Sequence, residues 1–85
     1  MKEELIIEIS NILNEWNPLG DSANSVEGLE GYKYEAIDIL STIKVKKIPV
    51  DQAVSQVLTQ AFDIVLKEND VLHYSSKIGS LLNVQ

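Results

Sequence analysis

The sequence predicts a single all-α domain of four helices, and three observations support that prediction. The chain has 85 residues, 45% of them hydrophobic, which is enough for one compact core over residues 1–85. Apolar residues recur with the 3.6-residue period of an amphipathic helix in four successive segments. Proline, glycine or a capping acid separates these segments, and none of them alternates between apolar and polar residues as a strand does.

The first predicted helix covers residues 3–16. It ends at Asn17-Pro18, because proline disfavours the helical conformation of the residue before it. The core stripe of this helix consists of Leu5, Ile6, Ile9, Ile12, Leu13 and Trp16. The opposite face is acidic except for Ile7, which projects from the middle of it.

A long loop is predicted between helices 1 and 2, over residues 17–31. This stretch is rich in glycine, serine, asparagine and aspartate. A connection of this length is unusual in a compact domain, so it is either a structured functional loop or a locally mobile one. Val26 and Leu29 are the apolar residues that we expect to hold it against the domain.

The second helix is predicted from Tyr32 to about Lys44, and we expect it to pack on helix 1 through Trp16 and Tyr32. Its core face consists of Tyr32, Ala36, Ile39, Leu40 and Ile43. The third helix is predicted from an N-cap at Asp51 to about Lys67. Its apolar face is the broadest in the chain, which predicts a central helix contacted on several sides.

The fourth helix is predicted to begin at a cap formed by Asn69-Asp70 and to continue to the C-terminus. Its apolar stripe consists of Val71, Tyr74, Ile78, Leu81 and Leu82. The broad apolar face of helix 3 consists of Ala53, Val54, Val57, Leu58, Ala61, Phe62, Ile64 and Val65.

Composition and charge exclude several classes of function. The chain contains no cysteine and no arginine, so it lacks disulfides, a thiolate nucleophile and the usual bidentate phosphate clamp. Its start lacks the apolar stretch of a signal peptide and no apolar run reaches transmembrane length, so we expect a cytoplasmic protein with no membrane contact. The net charge of −6 argues against nucleic-acid binding.

The charge is unevenly placed along the chain. Residues 1–38 hold nine acids and two lysines, a net of −7, whereas residues 39–85 hold four acids and five lysines, a net of +1. An acidic surface promotes solubility, and it can also complement a basic partner. We therefore expect any partner to be another protein, with a basic surface.

No catalytic, cofactor or metal site is predicted. His73 is the single histidine, and an aspartate three residues before it, Asp70, is common on exposed helices. The Glu4/Glu8 pair lacks the further ligands of a metal site in a helical bundle. An enzyme would need a pocket that folding assembles, for which Tyr32, Glu35 and His73 are the candidates.

The leading hypothesis is a non-enzymatic protein-binding module. Two side chains place apolar area on otherwise acidic faces: Ile7 on helix 1 and Tyr34 on helix 2. The candidate partner-binding residues are Ile7, Glu8, Glu15, Glu27, Glu30 and Tyr34. The alternative is an immunity or antitoxin-like protein that neutralises a basic toxin, because an acidic inhibitor competes for the surface with which a nuclease attracts polyanions.

The segment Trp16-Asn17-Pro18-Leu19-Gly20, followed by Tyr32-x-x-Glu35-Ala36-x-x-Ile39, resembles a family of short proteins from Bacillus and relatives, the YugE-like domain of unknown function. The resemblance covers nearly the whole chain. It implies a compact all-helical bundle and transfers no functional residue.

Overall fold

The computed structural model describes residues 3–20 and 30–82, and within them the fold is all-α, as predicted. Four helices are present in these residues, with no strand: α1 covers Glu3–Trp16, α2 Lys33–Lys46, α3 Val50–Phe62 and α4 Glu68–Leu82. One turn of 3₁₀ helix, Glu30–Tyr32, precedes α2. No helix in the described ranges is long and apolar enough to cross a membrane.

The four helices form a closed ring in which each packs against two neighbours. The contacts join α1 to α2, α2 to α3, α3 to α4 and α4 back to α1. Short connections, 47–49 and 63–67, place successive helices antiparallel, so that Val50 at the start of α3 lies against Gly79 near the end of α4. Helix 3 is therefore not central, and that prediction is wrong, because α3 has two neighbouring helices like every other member.

The helix bounds follow the predictions closely except at α3. Helix α1 has the predicted bounds, and α2 begins one residue later than predicted and continues to Lys46. Helix α3 ends at Phe62, because Asp63 is left-handed (φ 52°) and its N–H donates to the carbonyl of Thr59. Its N-cap is Pro49, so the predicted cap at Asp51 is wrong; Asp51 lies in the first turn, where its charge interacts favourably with the helix dipole. The predicted cap of helix 4 is wrong as well, because α4 begins at Glu68 and Asn69-Asp70 lies inside its first turn.

The core lies between the four helices and receives side chains from each of them. Its members are all aliphatic or aromatic. They are Ile9, Leu13, Tyr32, Ala36, Ile39, Leu40, Val54, Val57, Leu58 and Ile78. These are the inward positions of the four predicted stripes, so the stripes direct the assembly of the bundle.

The two aromatic residues expected to join helices 1 and 2 have different neighbours. Tyr32 is buried and meets the ring of Phe62 on α3 edge-on, with centroids 6.1 Å apart. Trp16 instead stacks on Tyr74 of α4, with centroids 5.0 Å apart and planes 8° from parallel. The predicted packing of Trp16 against helix 2 is therefore wrong: this side chain joins α1 to α4.

Hydrogen bonds fasten both ends of the connection between α1 and α2. The Tyr32 hydroxyl donates to Asn17 Oδ1 (2.7 Å) and accepts from the N–H of Leu19 (3.3 Å). At the other end, Ser10 Oγ and Asn14 Nδ2 donate to the carbonyl of Gly31, at 2.6 and 3.0 Å. Residues 21–29, including Val26 and Leu29, lie outside the described residues.

Glycine is favoured at position 31 for two reasons. Its φ of +66° is left-handed, which L side chains rarely adopt. A Cβ there would also lie 2.8 Å from Asn14 Nδ2, in the place where this amide binds the carbonyl of Gly31. The sharp entry to α2 therefore depends on the absence of a side chain.

Candidate partner-binding groove

A groove of about 390 Å³ runs between α1 and the first turns of α2. We call it the α1–α2 groove, and its lining residues are Glu3, Ile6, Ile7, Ser10, Lys33 and Ile37. The antiparallel packing of the two helices brings Ile7 and Ile37 to the same recess. Because Ser10 is bonded to the carbonyl of Gly31, the start of α2 is fixed against α1 at one end of this groove.

The groove offers apolar surface at positions that leave it accessible. Ile7 is 51% exposed, and Ile6 packs partly on the core beneath. Tyr34, which is 54% exposed, lies three residues before Ile37 and so adjoins it on the outer side of α2. Exposed aliphatic and tyrosine side chains of this kind serve as anchors in protein interfaces.

Charged side chains lie in the groove and on the outer face of α1. The groove is lined by one carboxylate, Glu3, and one ammonium group, Lys33. Glu4 and Glu8 are exposed on the first turns of α1. The carboxylates of this part of α1 outnumber the lysine, and this excess of negative charge favours a partner with basic residues.

The six predicted site residues do not lie together in the structure. Ile7 lines the α1–α2 groove and Tyr34 lies beside it. Glu8 is exposed two turns before Glu15 on the same face of α1, and it is not in the lining of the groove. Glu15 lies away from it, since its Oε2 is 2.6 Å from Nζ of Lys77 on α4; this hydrogen bond and the lysine charge lower the pKa of Glu15. Glu27 lies outside the described residues, and the structure describes Glu30 only as the first backbone position of the 3₁₀ turn.

Five lining residues of the groove are absent from the predicted site residues: Glu3, Ile6, Ser10, Lys33 and Ile37. Ile37 was detectable, because it is an aliphatic residue off the core stripe of its helix, like Ile7. Lys33 and Ser10 carry no such signal, since polar residues at the edge of a stripe are ordinary. Only the register between α1 and α2 brings them to the groove.

The three side chains considered for an enzyme site do not converge. The Tyr32 hydroxyl is bonded to the Asn17–Gly20 corner, and burial raises its pKa, as does the nearby charge of Glu35. His73 is exposed on α4, where its ring meets that of Tyr74 edge-on with centroids 4.8 Å apart, and α4 is not a neighbour of α2 in the ring of helices. Within the described residues, no group of three or more potential ligands is arranged to hold a metal.

Glu35 has an unusual environment for a carboxylate. One oxygen, Oε1, is buried and has no hydrogen-bond partner in the described part of the chain. Burial raises the pKa of this carboxyl above its ordinary value of 4.5; its own backbone N–H opposes the rise, and the charge of Asp38 adds to it. The folded state therefore holds the Glu35 proton more tightly than the unfolded state does.

Glu35→Gln should raise the thermal midpoint at pH 7. A raised pKa means that the contribution of Glu35 to stability is complete below pH 4.5 and is lost as pH rises through the raised value. Glutamine resembles the protonated carboxyl, so the gain at pH 7 should shrink as pH falls towards 4. Differential scanning calorimetry across this range measures both quantities.

Glu15→Gln serves as the control, because its effect on the thermal midpoint at pH 7 should have the opposite sign. The pKa of Glu15 is lowered, so its contribution is present above the ordinary value and is lost as pH falls through the lowered one. This variant should have a lower midpoint at pH 7 and match the wild type in acid. A Glu35→Gln midpoint equal to or below that of the wild type at pH 7 would contradict the burial argument.

Comparison of the chain with protein-family models, curated proteins and solved structures finds no significant match. The resemblance to the YugE-like family stays a prediction.

Proposed function

We propose that this chain is a non-enzymatic protein-binding module whose partner docks in the α1–α2 groove. The observation that supports the proposal most is the half-exposed Ile7, which lines an accessible recess together with Ile6 and Ile37. A charged or polar residue at position 7 would be the ordinary choice on the outer face of a surface helix.

The chemistry of the partner follows from what surrounds Ile7. The recess accepts aliphatic or aromatic side chains. The carboxylate of Glu3 in its lining, with those of Glu4 and Glu8 exposed on the same helix, attracts lysine or arginine. A groove between two antiparallel helices suits an amphipathic helix, which presents apolar and charged residues on adjacent faces. The partner is therefore a protein with a basic amphipathic segment.

Ile7→Asp should weaken partner binding roughly tenfold or more, because it places a charge in the apolar contact. The test is affinity capture from a lysate of the organism that encodes the chain, with wild type, Ile7→Asp and Val45→Asp as parallel baits. Val45 is a matched control, since it is 79% exposed on α2 and does not line the groove. Circular dichroism checks that the three proteins are equally helical.

The proposal predicts that the capture recovers a protein with a basic segment. This protein should bind the wild type and Val45→Asp but not Ile7→Asp. Isothermal titration of that protein then gives the dissociation constants of the three baits. If no captured protein depends on Ile7 in this way, the groove is a solvated surface and the proposed function is wrong.

A further inference from the structure

The connection between α3 and α4 forms an aliphatic ridge at one end of the bundle. Its side chains are Ile64, Val65 and Leu66, and Val65 is 99% exposed, the highest value among the large hydrophobic residues of the described chain. Leu72, one turn into α4, is half exposed beside it. With Lys67, these residues form what we call the α3–α4 patch.

Two recesses flank the ridge. One, of about 530 Å³, lies between α3 and α4 and includes Asp51, Glu68 and Leu72 in its lining. The other, of about 280 Å³, lies between the ridge and the Trp16–Gly20 corner and includes Lys67 and Asp70. Val65 and Leu66 line both recesses, so a protruding aliphatic side chain stands directly beside cavities that can receive one.

A surface that carries both a protruding side chain and a recess can bind the same surface of a second copy of the chain. In a contact with two-fold symmetry, the same patch is used by both molecules, so Val65 of each copy can enter a recess of the other. The lining of the two recesses carries three acids and one lysine. Lys67 of one copy can face Asp51, Glu68 or Asp70 of the other, which offsets part of the like charge that these acids bring to the contact.

The size of the surface suits such a contact. Together, the ridge and the walls of its two recesses comprise seventeen residues. A specific interface of standard size involves roughly 20–30 residues on each side. The patch and its recesses approach that number before any side chain rearranges.

We propose that two copies of this chain form a symmetric dimer through the α3–α4 patch. The contact buries Val65 and Leu72 and leaves the α1–α2 groove accessible on each copy. The dimer is independent of the proposed function, since the two surfaces share no lining residue.

Sedimentation equilibrium over a concentration series up to about 1 mM, a range that covers weak dissociation constants, tests the proposal. The wild type should reach a mass of about 19 kDa, twice that of the 9.5 kDa chain. Val65→Asp and Leu72→Asp should each raise the dimer dissociation constant roughly tenfold or more. Val45→Asp, an exposed valine outside the patch, should leave it unchanged.

Val65 is in a connection and almost wholly exposed, so its substitution does not threaten the fold, and Leu72→Asp provides the second variant. A wild type that stays at 9.5 kDa throughout the series overturns the proposal. A dimer that survives both patch substitutions, or that Val45→Asp also disrupts, overturns it too, because the contact then lies elsewhere. Assembly beyond two copies overturns the two-fold symmetry.

Discussion

Replacing Tyr32 by alanine is expected to lower the free energy of unfolding by about 3–5 kcal/mol, the range for removal of a buried aromatic side chain. Tyr32 is 1% exposed and belongs to the core. Its ring meets Phe62 edge-on, and its hydroxyl holds Asn17 and Leu19. Alanine removes contacts to α3 and to the end of α1 together, and leaves a cavity where the bundle is closed. Urea denaturation followed by circular dichroism measures the loss.

Tyr34→Ala is the matched control, because Tyr34 is the same residue type two positions later but 54% exposed. Its effect should stay within about 0.5 kcal/mol, as for other surface substitutions. Tyr32→Phe separates the two roles of Tyr32: it keeps the ring and removes the hydroxyl, so it should cost about 1 kcal/mol. Equal stability of Tyr32→Ala and Tyr34→Ala would contradict the packing described for Tyr32.

The sequence was sufficient to predict most of the fold because that information is local. The apolar period and the Asn17-Pro18 stop both act within a few residues, and α1 begins and ends where they place it. The predicted end of α3 was wrong for a physical reason. Ile64 and Val65 continue the apolar period in phase, so the pattern cannot distinguish a helix from an exposed aliphatic connection. What ends the helix is the left-handed conformation of Asp63, a weak signal for a residue other than glycine.

Long-range pairings account for the other differences. Trp16 lies at the end of α1, which has both α2 and α4 as neighbours, and only the assembled bundle selects Tyr74 as its partner. Glu15 looked like a free acid of the partner-binding face, but Lys77, sixty-two residues later, pairs with it. The exposure of Ile7 and Tyr34 could be predicted, because a large apolar residue on a polar helix face is visible without knowledge of its neighbours.

Reversing the charge of three glutamates on the first turns of α1, one of which lines the α1–α2 groove, is expected to slow partner association by about an order of magnitude or more at low salt. The variant is Glu3→Lys/Glu4→Lys/Glu8→Lys, and it changes exposed side chains on the outer face of α1. Steering by complementary charge acts on the association rate and is screened by salt. Stopped-flow measurement with the partner whose capture depends on Ile7 should therefore show a large difference at low ionic strength that diminishes as salt is added.

The control with the same change in net charge is Asp51→Lys/Asp63→Lys/Glu68→Lys. It also replaces two acids in first helical turns, so the cost to the helix dipoles is matched: Glu3 and Glu4 start α1, Asp51 starts α3 and Glu68 starts α4. If the partner meets the α1–α2 groove, the control should slow association much less than the variant on α1. Equal slowing by both would mean that only the total charge attracts the partner. No slowing by either would mean that the acidic face serves solubility, because a contact steered by these carboxylates must lose rate when they become lysines.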